Sequence, residues 1–327
     1  MTQTVFVTGA TGFVGSHIVK ALMEAATIKL ATSTVTGDRL RVVEVNDIFE
    51  DKIDPDVLKG VDALIHAATP WPTSTPLEQM VPRSISGALN IIDQAEKAGV
   101  KSVIMTGSLA SVVNSFTEPF YSDDDWNSIT IKEQVLSSKE AMEEIYAVSK
   151  KYAELVIWKW AGNILMLRSP LTAAHLWAIR YPDFGFWIDV RDVAKCDVKA
   201  LKAPPTSVVG RKRLIITSPH DMEYADALKF LAEARPQLKS RLNKTDPPKR
   251  MHYRLPCDFA RIEEVLGIKK EQFFTRNETI LNKIDGYLAL EEKWVKQGID
   301  TTLDQSLVFV SDYRLENTEN GTSNFVM

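Results

Sequence analysis

The stretch YAVSKKYAE contains a tyrosine and a lysine, Tyr146 and Lys150, whose types and spacing could carry proton transfer. Residues four apart on a helix are neighbours on one face, so the phenol and the ammonium would project together. A phenol titrates at about 10 in water, and a nearby cation stabilises the phenolate and lowers that pKa. The same spacing occurs on ordinary amphipathic helices, so the chemistry depends on what the rest of the chain places beside the pair.

A serine after an apolar β-type run supplies a third polar group. The stretch VIMTGSLASVVN carries Ser108, whose hydroxyl can hydrogen-bond the oxygen of a carbonyl substrate. Tyr146 would donate a proton to that oxygen while a hydride reaches the carbon from a cofactor, which is general acid catalysis. By contrast, we expect His66 to be a packed histidine rather than a base, and residues 123–125 to form a solvated turn that caps the next helix.

Three glycines near the start of the chain predict a dinucleotide site. In VFVTGATGFVGSHIV, Gly9, Gly12 and Gly15 follow a β-type run and open a helical pattern. The first glycine allows a tight turn, the second lets the backbone approach a pyrophosphate, and the third allows close helix–strand packing. A plain strand–turn–helix connection also tolerates glycines, but the flanking pattern here is that of a nucleotide-binding turn.

The periodicity of apolar residues predicts an α/β fold with a Rossmann-type, doubly wound parallel sheet. We expect strands at residues 4–8, 41–45, 63–66, 102–106 and 164–167. We expect helices at residues 13–25, 83–98, 139–160, 224–234, 259–266 and 278–297. The rhythm breaks after Arg168, so residues 1–168 are predicted to form the dinucleotide-binding domain. Residues 169–311 would form mainly a smaller C-terminal substrate lobe, with returns to the sheet, and residues 312–327 a flexible tail.

Several motifs resemble those of the extended short-chain dehydrogenase/reductase family, of the NAD-dependent epimerase/dehydratase type. The glycine turn resembles the TGxxGxxG turn of that family, VNDIFE its adenine-side Asp-Ile, and ALIHAATP its strand beside the cofactor. The segments DDDWN, FWIDVRDVA and GYLALEEKW resemble the reductase branch, which includes dihydroflavonol, cinnamoyl-CoA and fungal methylglyoxal or aldehyde reductases. The resemblance extends over about residues 4–295.

The resemblance implies a set of site residues. Ser108, Tyr146 and Lys150 would be catalytic, and the lysine would also hold the nicotinamide ribose. The residues implied in cofactor binding are Gly9, Gly12, Phe13, Val14, Gly15, Asp47, Ile48, Ala67, Ala68, Tyr146, Lys150 and Pro170. Trp71 and Asn114 follow cofactor-side strands and are candidates for the substrate pocket. No metal site is predicted.

Two connections are shorter than those of the family. Only four residues, 36–39, separate two β-type runs, whereas a parallel crossover takes at least about 10–12 residues including its helix. We therefore expect a truncated second crossover, in which the two runs form a hairpin or only one of them joins the sheet. The loop after Pro170 is also short. A divergent enzyme and an incomplete gene model both fit these two gaps.

The region after the glycine turn also bears on the cofactor. An acidic residue about 20 positions after that turn would bind the ribose hydroxyls of NAD, but Ala31, Thr32 and Ser33 stand there. Arg39 or Arg41 could instead meet a 2′-phosphate. We therefore expect NADP(H) rather than NAD(H).

Composition and charge narrow the partners and the compartment. The net charge of −4 over 327 residues gives no broad electrostatic reason to expect nucleic acid. No run approaches the roughly 18 apolar residues of a membrane span, so we expect no membrane partner. The chain starts without a signal peptide, and its two cysteines lack metal-ligand spacing, which favours the cytoplasm. We expect a monomer or a homodimer.

These features predict NADPH-dependent, reversible reduction of a small-molecule aldehyde or ketone. Two alternatives remain open. The chain could be a non-catalytic NAD(P)-binding sensor or an inactive truncated homologue, which the two short connections favour. It could also be a nucleotide-sugar epimerase or a hydroxysteroid dehydrogenase, which share the Ser, Tyr and Lys set. The segments DDDWN and GYLALEEKW favour the reductases.

Overall fold

The computed structural model describes residues 3–25, 28–30, 39–70, 75–113, 122–131, 142–160, 165–169, 187–242, 257–299 and 301. Within them, six parallel strands form one sheet in the order β2-β1-β3-β4-β5-β6. The strands are β1 (Gln3–Thr8), β2 (Ile28–Leu30), β3 (Ala63–His66), β4 (Ser102–Ser108), β5 (Leu165–Ser169) and β6 (Arg213–Ile215). The chain leaves β1 for β2 on one side and returns to β3 on the other. Ligands of open α/β sheets bind at the carboxyl ends of the strands at such a switch point.

Helices cover both faces of the sheet. In the described part of the chain they are α1 (Phe13–Glu24), α2 (Pro55–Leu58), α3 (Leu77–Lys97), α4 (Met142–Trp160), α5 (Val190–Ala200), α6 (Thr206–Val209), α7 (Tyr224–Ala234), α8 (Phe259–Leu266) and α9 (Arg276–Lys296). Buried side chains of α1, α5 and α8 lie in one core, and those of α3 and α4 lie in a second one. A third core joins α7 and α9 around Trp187.

Alternate side chains of the central strands enter the two cores on opposite faces of the sheet. Val5 and Val7 of β1 pack with α1, α5 and α8, whereas Phe6 between them packs with α3 and α4. This follows from the geometry of a strand, in which successive side chains point to opposite faces. All four residues of β3 are buried, as expected for a parallel strand covered on both sides. The predicted doubly wound parallel sheet is therefore confirmed.

Two elements of the sheet layer beyond residue 168, α5 and β6, were not predicted from the sequence. The helix α5 buries the acidic residues Asp192 and Asp197, which obscure its apolar periodicity. The strand β6 is only three residues long and starts at Arg213, a fully buried arginine. A charged residue at a core position does not resemble a strand signal in the sequence. The domain boundary at residue 168 stays a prediction.

The strand predicted at residues 41–45 is wrong. Those residues have no regular structure, and next to them only Leu40 forms an isolated bridge. Val43 and Val45 nevertheless pack against the core formed with α3 and α4, which accounts for their apolar pattern. Among the described residues, only 28–30 of the two β-type runs join the sheet.

The N-terminus of α5 connects the C-terminal helices to the sheet layer. Asp189 caps α5, forms a two-contact ion pair with Arg191, and accepts a hydrogen bond from Thr279 of α9 at 2.8 Å. The guanidinium of Arg191 lies 3.6 Å from the ring centroid of Phe274. The backbone N–H of Phe274 donates to Asp192 at 2.9 Å. The DVRDV part of the segment FWIDVRDVA therefore joins two parts of the molecule.

A buried acid on α5 lies against the sheet. Asp197 is 0% exposed, and its Oδ2 accepts a hydrogen bond from Thr106 of β4 at 3.1 Å. Its Oδ1 has no hydrogen-bond partner within the described ranges. Burial raises the pKa of Asp197 to about 8, and the hydrogen bond from Thr106 lowers it only in part. At neutral pH this side chain is therefore predominantly protonated in the folded protein.

We expect Asp197→Asn to remove a pH dependence of stability. The free carboxyl titrates at about 3.9 when unfolded, so between that pH and about 8 the folded state holds the extra proton. This contribution to the free energy of unfolding is fully present below about pH 4 and falls by about 1.4 kcal/mol per pH unit as pH rises towards 8. Relative to the native chain, the variant should therefore gain about that amount per unit. Urea unfolding at pH 5, 6 and 7 measures the difference.

The matched control is Asp93→Asn, which changes an exposed acid paired with Lys97 on α3. It should leave the pH dependence of unfolding unchanged. Parallel stability curves for Asp197→Asn and the native chain would show that Asp197 is ionised when folded.

Candidate active site

The glycine turn is packed too tightly to accept side chains. Gly9 has a φ of 70°, which favours glycine, and a Cβ there would lie 2.8 Å from the backbone nitrogen of Ala68. A Cβ on Gly15 would lie 1.9 Å from the carbonyl oxygen of Gly9. The backbone N–H of Gly12 donates to that same oxygen at 2.9 Å. The turn therefore closes the start of α1 against the residues that follow β3.

The N-terminus of α1 has the features of an anion site. No described side chain caps its first backbone N–H groups, and none of the residues in its first turn is acidic. These N–H groups and the helix dipole favour a negatively charged group such as a pyrophosphate. Phe13 is 66% exposed beside them, whereas Val14 packs into the core beneath. The predicted cofactor residues Gly9, Ala67 and Ala68 also meet here, because β1 and β3 are adjacent.

Three elements bring the predicted catalytic residues together. Ser108 ends β4, and its side chain is hydrogen-bonded to that of Tyr146 on α4. One turn later on α4, Lys150 is 5% exposed, and its Nζ donates to the hydroxyl of Thr69 at 3.3 Å. Thr69 follows Ala67 and Ala68 after β3, so the lysine reaches the same end of the sheet as the glycine turn. Thr69 was not predicted, because its role depends on a contact 81 residues apart in sequence.

Burial sets the protonation states of this site. It raises the pKa of Tyr146, against the lowering effect of the hydrogen bond with Ser108. We expected Lys150 to lower that pKa, so the net direction differs from the sequence-based expectation. Burial also lowers the pKa of Lys150 to about 8, and the charge of Glu154 acts in the opposite direction. At neutral pH the phenol is therefore protonated and the lysine is mostly cationic.

His66 is a packed histidine, as predicted. It is buried at the end of β3, and its Nδ1 is hydrogen-bonded to the hydroxyl of Thr8 at 2.7 Å. Burial and the charge of Lys150 lower the pKa of His66 to about 3, so the imidazole stays neutral. The same hydroxyl accepts a hydrogen bond from the backbone of Ala68. The histidine thus helps to hold the residues after β3 in place.

A buried ion pair lies one turn beyond Lys150. Glu154 and Arg213 are each 1% exposed, with Nε and Oε1 2.6 Å apart. Ser111 donates to the other carboxylate oxygen at 2.7 Å. The guanidinium of Arg213 lies 3.7 Å from the ring centroid of Trp126. The sequence does not reveal this pair, because Arg213 lies 59 residues from Glu154. Only the spacing of Glu154, four residues after Lys150, is visible in the sequence.

The prediction that residues 123–125 form a solvated capping turn is wrong for Asp123. Its carboxylate accepts a hydrogen bond from the backbone of Ile215 in β6 at 2.6 Å, and burial raises its pKa to about 6. The carbonyls of Asp123 and Asp125 accept hydrogen bonds from Arg213. Residues 125–130 are not helical. The DDDW segment is therefore fixed to β6 by the buried arginine, which the sequence pattern could not show.

The predicted adenine-side residues lie beside α3. The carboxylate of Asp47 forms a 2.6 Å ion pair with Arg83 and accepts a hydrogen bond from the backbone of Phe49. Ile48 packs at the edge of the core with α3 and α4. Gly87 of α3 makes room for Phe49, since a Cβ there would lie 2.4 Å from its ring. Both carboxylate oxygens of Asp47 thus have protein partners that fix the turn.

The structure gives Arg39 a structural contact. Its Nη2 donates to the carbonyls of Met23 and Ala25 at 2.9 and 3.2 Å, at the end of α1. This contact accounts for Arg39 without a cofactor phosphate. The predicted residues Trp71, Asn114 and Pro170 lie outside the described residues.

The described ranges contain neither a cluster of metal ligands nor a membrane-spanning helix. They contain no group of three or more His, Cys, Asp or Glu side chains that could hold a metal ion. None of the helices in these ranges combines the length and the apolar character needed to cross a membrane.

The first half of the chain matches a known protein family. Residues 5–166 match the family described as "NAD dependent epimerase/dehydratase family". The match covers the sheet from β1 into β5, together with the glycine turn and the Ser108, Tyr146 and Lys150 set. Residues 5–166 therefore resemble this family, as the motifs predicted.

Individual relatives are reductases, at low identity. The chain is 24% identical to dihydroflavonol 4-reductase of Arabidopsis thaliana, over 94% of this chain and 85% of that protein. It is 30% identical to aldehyde reductase 2 of Sporidiobolus salmonicolor, over 48% of this chain and 52% of that protein. The chain spans about half the length of several of the curated relatives it matches.

Solved structures confirm the fold. The yeast methylglyoxal/isovaleraldehyde reductase Gre2 complexed with NADPH superposes with a TM-score of 0.69 at 21% identity, covering 89% of this chain and all of that one. Gre2 of Candida albicans in complex with NADPH gives a TM-score of 0.68 at 18% identity, covering 85% and 96%. The Rossmann fold class is therefore established independently of the motifs.

Gly15→Ala should disrupt the turn that holds the start of α1. The added methyl would meet the Gly9 carbonyl oxygen, which is backbone and cannot rotate away. We expect a loss of about 1–3 kcal/mol in the free energy of unfolding, together with weaker NADPH binding. Urea unfolding and a fluorescence titration measure the two effects.

Gly286→Ala is the matched control. Gly286 lies within α9, and a Cβ there would meet nothing within 4 Å. This substitution should stabilise the protein by about 0.4–1 kcal/mol by restricting the unfolded chain. If Gly15→Ala behaved like Gly286→Ala, the turn would not be tightly packed.

Proposed function

We propose that this protein is an NADPH-dependent carbonyl reductase that converts a small aldehyde or ketone into an alcohol. The observation that carries the proposal is the convergence of Ser108, Tyr146 and Lys150 at the end of the sheet that holds the glycine turn. The similarity to dihydroflavonol, aldehyde and methylglyoxal reductases supports the same activity. Cytoplasmic location and a monomeric or dimeric state stay predictions.

The residues present fit a dinucleotide. A Cβ at Gly9 would meet the backbone of Ala68, and Cβ atoms at Gly15 and Gly12 would lie 1.9 and 3.2 Å from the Gly9 oxygen, so the turn needs glycine at these positions. The backbone N–H groups at the start of α1 would hold the pyrophosphate, and Lys150 would hold the nicotinamide ribose. When bound, NADPH would supply the hydride.

The protonation states suit the direction of reduction. A general acid must carry its proton before the step, and burial keeps the Tyr146 phenol protonated at neutral pH. Ser108 would orient the substrate oxygen beside it. As the proton leaves Tyr146, the nearby Lys150 ammonium would stabilise the phenolate that forms. The raised pKa of Tyr146 keeps the proton on the phenol before the reaction, and the charge of Lys150 stabilises the phenolate after it.

The proposed preference for NADP(H) rests on two supports. The Gre2 structures that this chain resembles contain NADPH. No acid stands at Ala31, Thr32 or Ser33, where NAD-binding proteins of this fold hold the ribose. Because Arg39 contacts the end of α1, Arg41 is the better of the two predicted arginines for a 2′-phosphate.

Tyr146→Phe should abolish turnover while NADPH still binds. Loss of a general acid costs about 10²–10⁴-fold in rate, and the phenyl ring keeps the packing of α4. The measurement is NADPH oxidation with a panel of aldehydes and ketones, alongside a fluorescence titration of NADPH. Tyr152→Phe, a partly buried tyrosine on the same helix, is the control and should retain activity.

Two outcomes would contradict the proposal. Undiminished carbonyl reduction by Tyr146→Phe would remove the phenol from the chemistry. Tight NADPH binding by the native chain without oxidation by any carbonyl would instead favour a dinucleotide-binding protein that does not turn over.

Activity should fall as pH rises through about 8. Above that pH Lys150 loses its proton, and with it the charge that stabilises the phenolate and holds the ribose. We expect kcat/KM to decrease roughly tenfold per unit on this basic limb. In Lys150→Arg the limb should disappear, whatever the absolute rate, because a guanidinium does not titrate in this range. If the fall of kcat/KM above about pH 8 persisted in Lys150→Arg, it would come from the titration of another group.

A further inference from the structure

Glu154 occupies a position that the proposed chemistry does not use. It lies on α4 one turn after Lys150, as Lys150 lies one turn after Tyr146, so the three form a row on one face. Its carboxylate accepts three hydrogen bonds. Arg213 at 2.6 Å and Trp158 at 3.3 Å donate to one oxygen, and Ser111 at 2.7 Å donates to the other. An acid this deeply buried is found paired and hydrogen-bonded, because isolated burial of its charge is costly.

The carboxylate also connects to the turn that carries Ser108. The hydroxyl of Ser111 lies 2.7 Å from the carboxylate of Glu154 and 2.8 Å from the backbone carbonyl oxygen of Ser108, so its single hydrogen is shared between two acceptors. Ser108 starts the short 3₁₀ turn Leu109–Ser111, and its own hydroxyl accepts from the backbone of Ala110. Glu154 thus contacts the serine turn through Ser111, and its charge opposes the lowering of the Lys150 pKa by burial.

The charges around Lys150 are few. Among the described residues, Glu154 on its own helix is the acid that acts on it, and His66 at the end of β3 is neutral. Tyr146 on α4 is uncharged, and Thr69 after β3 provides only a hydroxyl. Arg213 of β6 is the second buried cation, paired with Glu154. Burial raises the pKa of Glu154, whereas the charge and the hydrogen bond of Arg213 lower it. The 2.6 Å contact with a guanidinium that stays protonated favours the carboxylate form, so one buried anion lies near two buried cations.

The two cations differ in how they respond to loss of that anion. A guanidinium does not deprotonate in proteins, whereas a buried ammonium does so readily. If the carboxylate charge were removed, Arg213 would keep its proton and Lys150 would lose its own at a lower pH. The pKa of Lys150 is therefore the quantity that shows whether the charge of Glu154 is present.

We propose that Glu154 is a positioning residue of this site: its carboxylate keeps the Lys150 ammonium charged at neutral pH and holds the Ser108 turn through Ser111. This inference rests on the proposed reductase function for its role in turnover. Its effect on the charge of Lys150 holds for cofactor binding alone.

The test is the pH dependence of NADPH affinity and of kcat/KM in Glu154→Gln. The amide keeps the shape and can still accept hydrogen bonds from Ser111 and Trp158, but it carries no charge. We expect the basic limb to move down by about one pH unit or more, from about 8 towards neutrality. At pH 6 the variant should approach the affinity of the native chain. A purely structural role would lower affinity equally at every pH and leave the limb in place.

Asp197→Asn is the matched control. It makes the same acid-to-amide change at another fully buried site, on the opposite face of the sheet, and Asp197 does not act on Lys150. Its basic limb should stay at about 8.

A double variant keeps the inference testable if Glu154→Gln folds poorly. Glu154→Gln leaves Arg213 buried without its partner, which is destabilising, whereas replacing a whole buried pair is tolerated far better. In Glu154→Gln with Arg213→Met, thermal stability should recover while the basic limb remains lowered. If the limb returned to about 8 together with stability, Glu154 would act only through the fold.

The outcomes separate this inference from the proposed function. A native chain that binds NADPH but reduces no carbonyl, with the affinity limb lowered in Glu154→Gln, would refute the reductase and keep the role of Glu154. A native chain that reduces carbonyls, with an unmoved limb in Glu154→Gln, would refute the role of Glu154 and keep the reductase.

Discussion

The buried ammonium of Lys150 is the constraint on which the arrangement of the site depends. A cation removed from water needs nearby partners, and here they come from different parts of the chain: a hydroxyl after β3 and a carboxylate one turn along α4. That carboxylate in turn needs Arg213 of β6, which fixes the DDDW segment. The contacts that follow from this one charge thus connect the segment after β3, α4, β6 and the DDDW segment. The tyrosine beside it is partly buried, and its phenol stays protonated because desolvation raises its pKa.

The sheet makes this possible by bringing strand ends to one edge. In a parallel sheet with both faces covered, the turns after β1, β3 and β4 meet at the carboxyl side. Gly9 packs directly on Ala68, and Thr69 follows as the partner of Lys150. The glycine turn and the lysine therefore lie at the same edge of the sheet. Substrate specificity would be added by residues around that edge.

In the described part of the chain, β2 is an edge strand of the sheet. Residues 41–45 contact the core through Val43 and Val45 without joining the sheet. Arg39 caps the end of α1. The nearby turn at Asp47 is held by an ion pair with Arg83 and by a hydrogen bond from the backbone of Phe49.

The sequence by itself determined the local features: the parallel α/β alternation, the glycine turn, and the spacing of Tyr146 and Lys150, because each follows from a periodicity or a short motif. It could not show that β6 begins with a buried arginine, that Asp123 is buried against β6, or that Glu154 and Arg213 pair across 59 residues. Burial decided the direction of the Tyr146 pKa, against the expectation drawn from its neighbour Lys150. Desolvation and long-range pairing depend on which elements pack together, and only the tertiary structure fixes that.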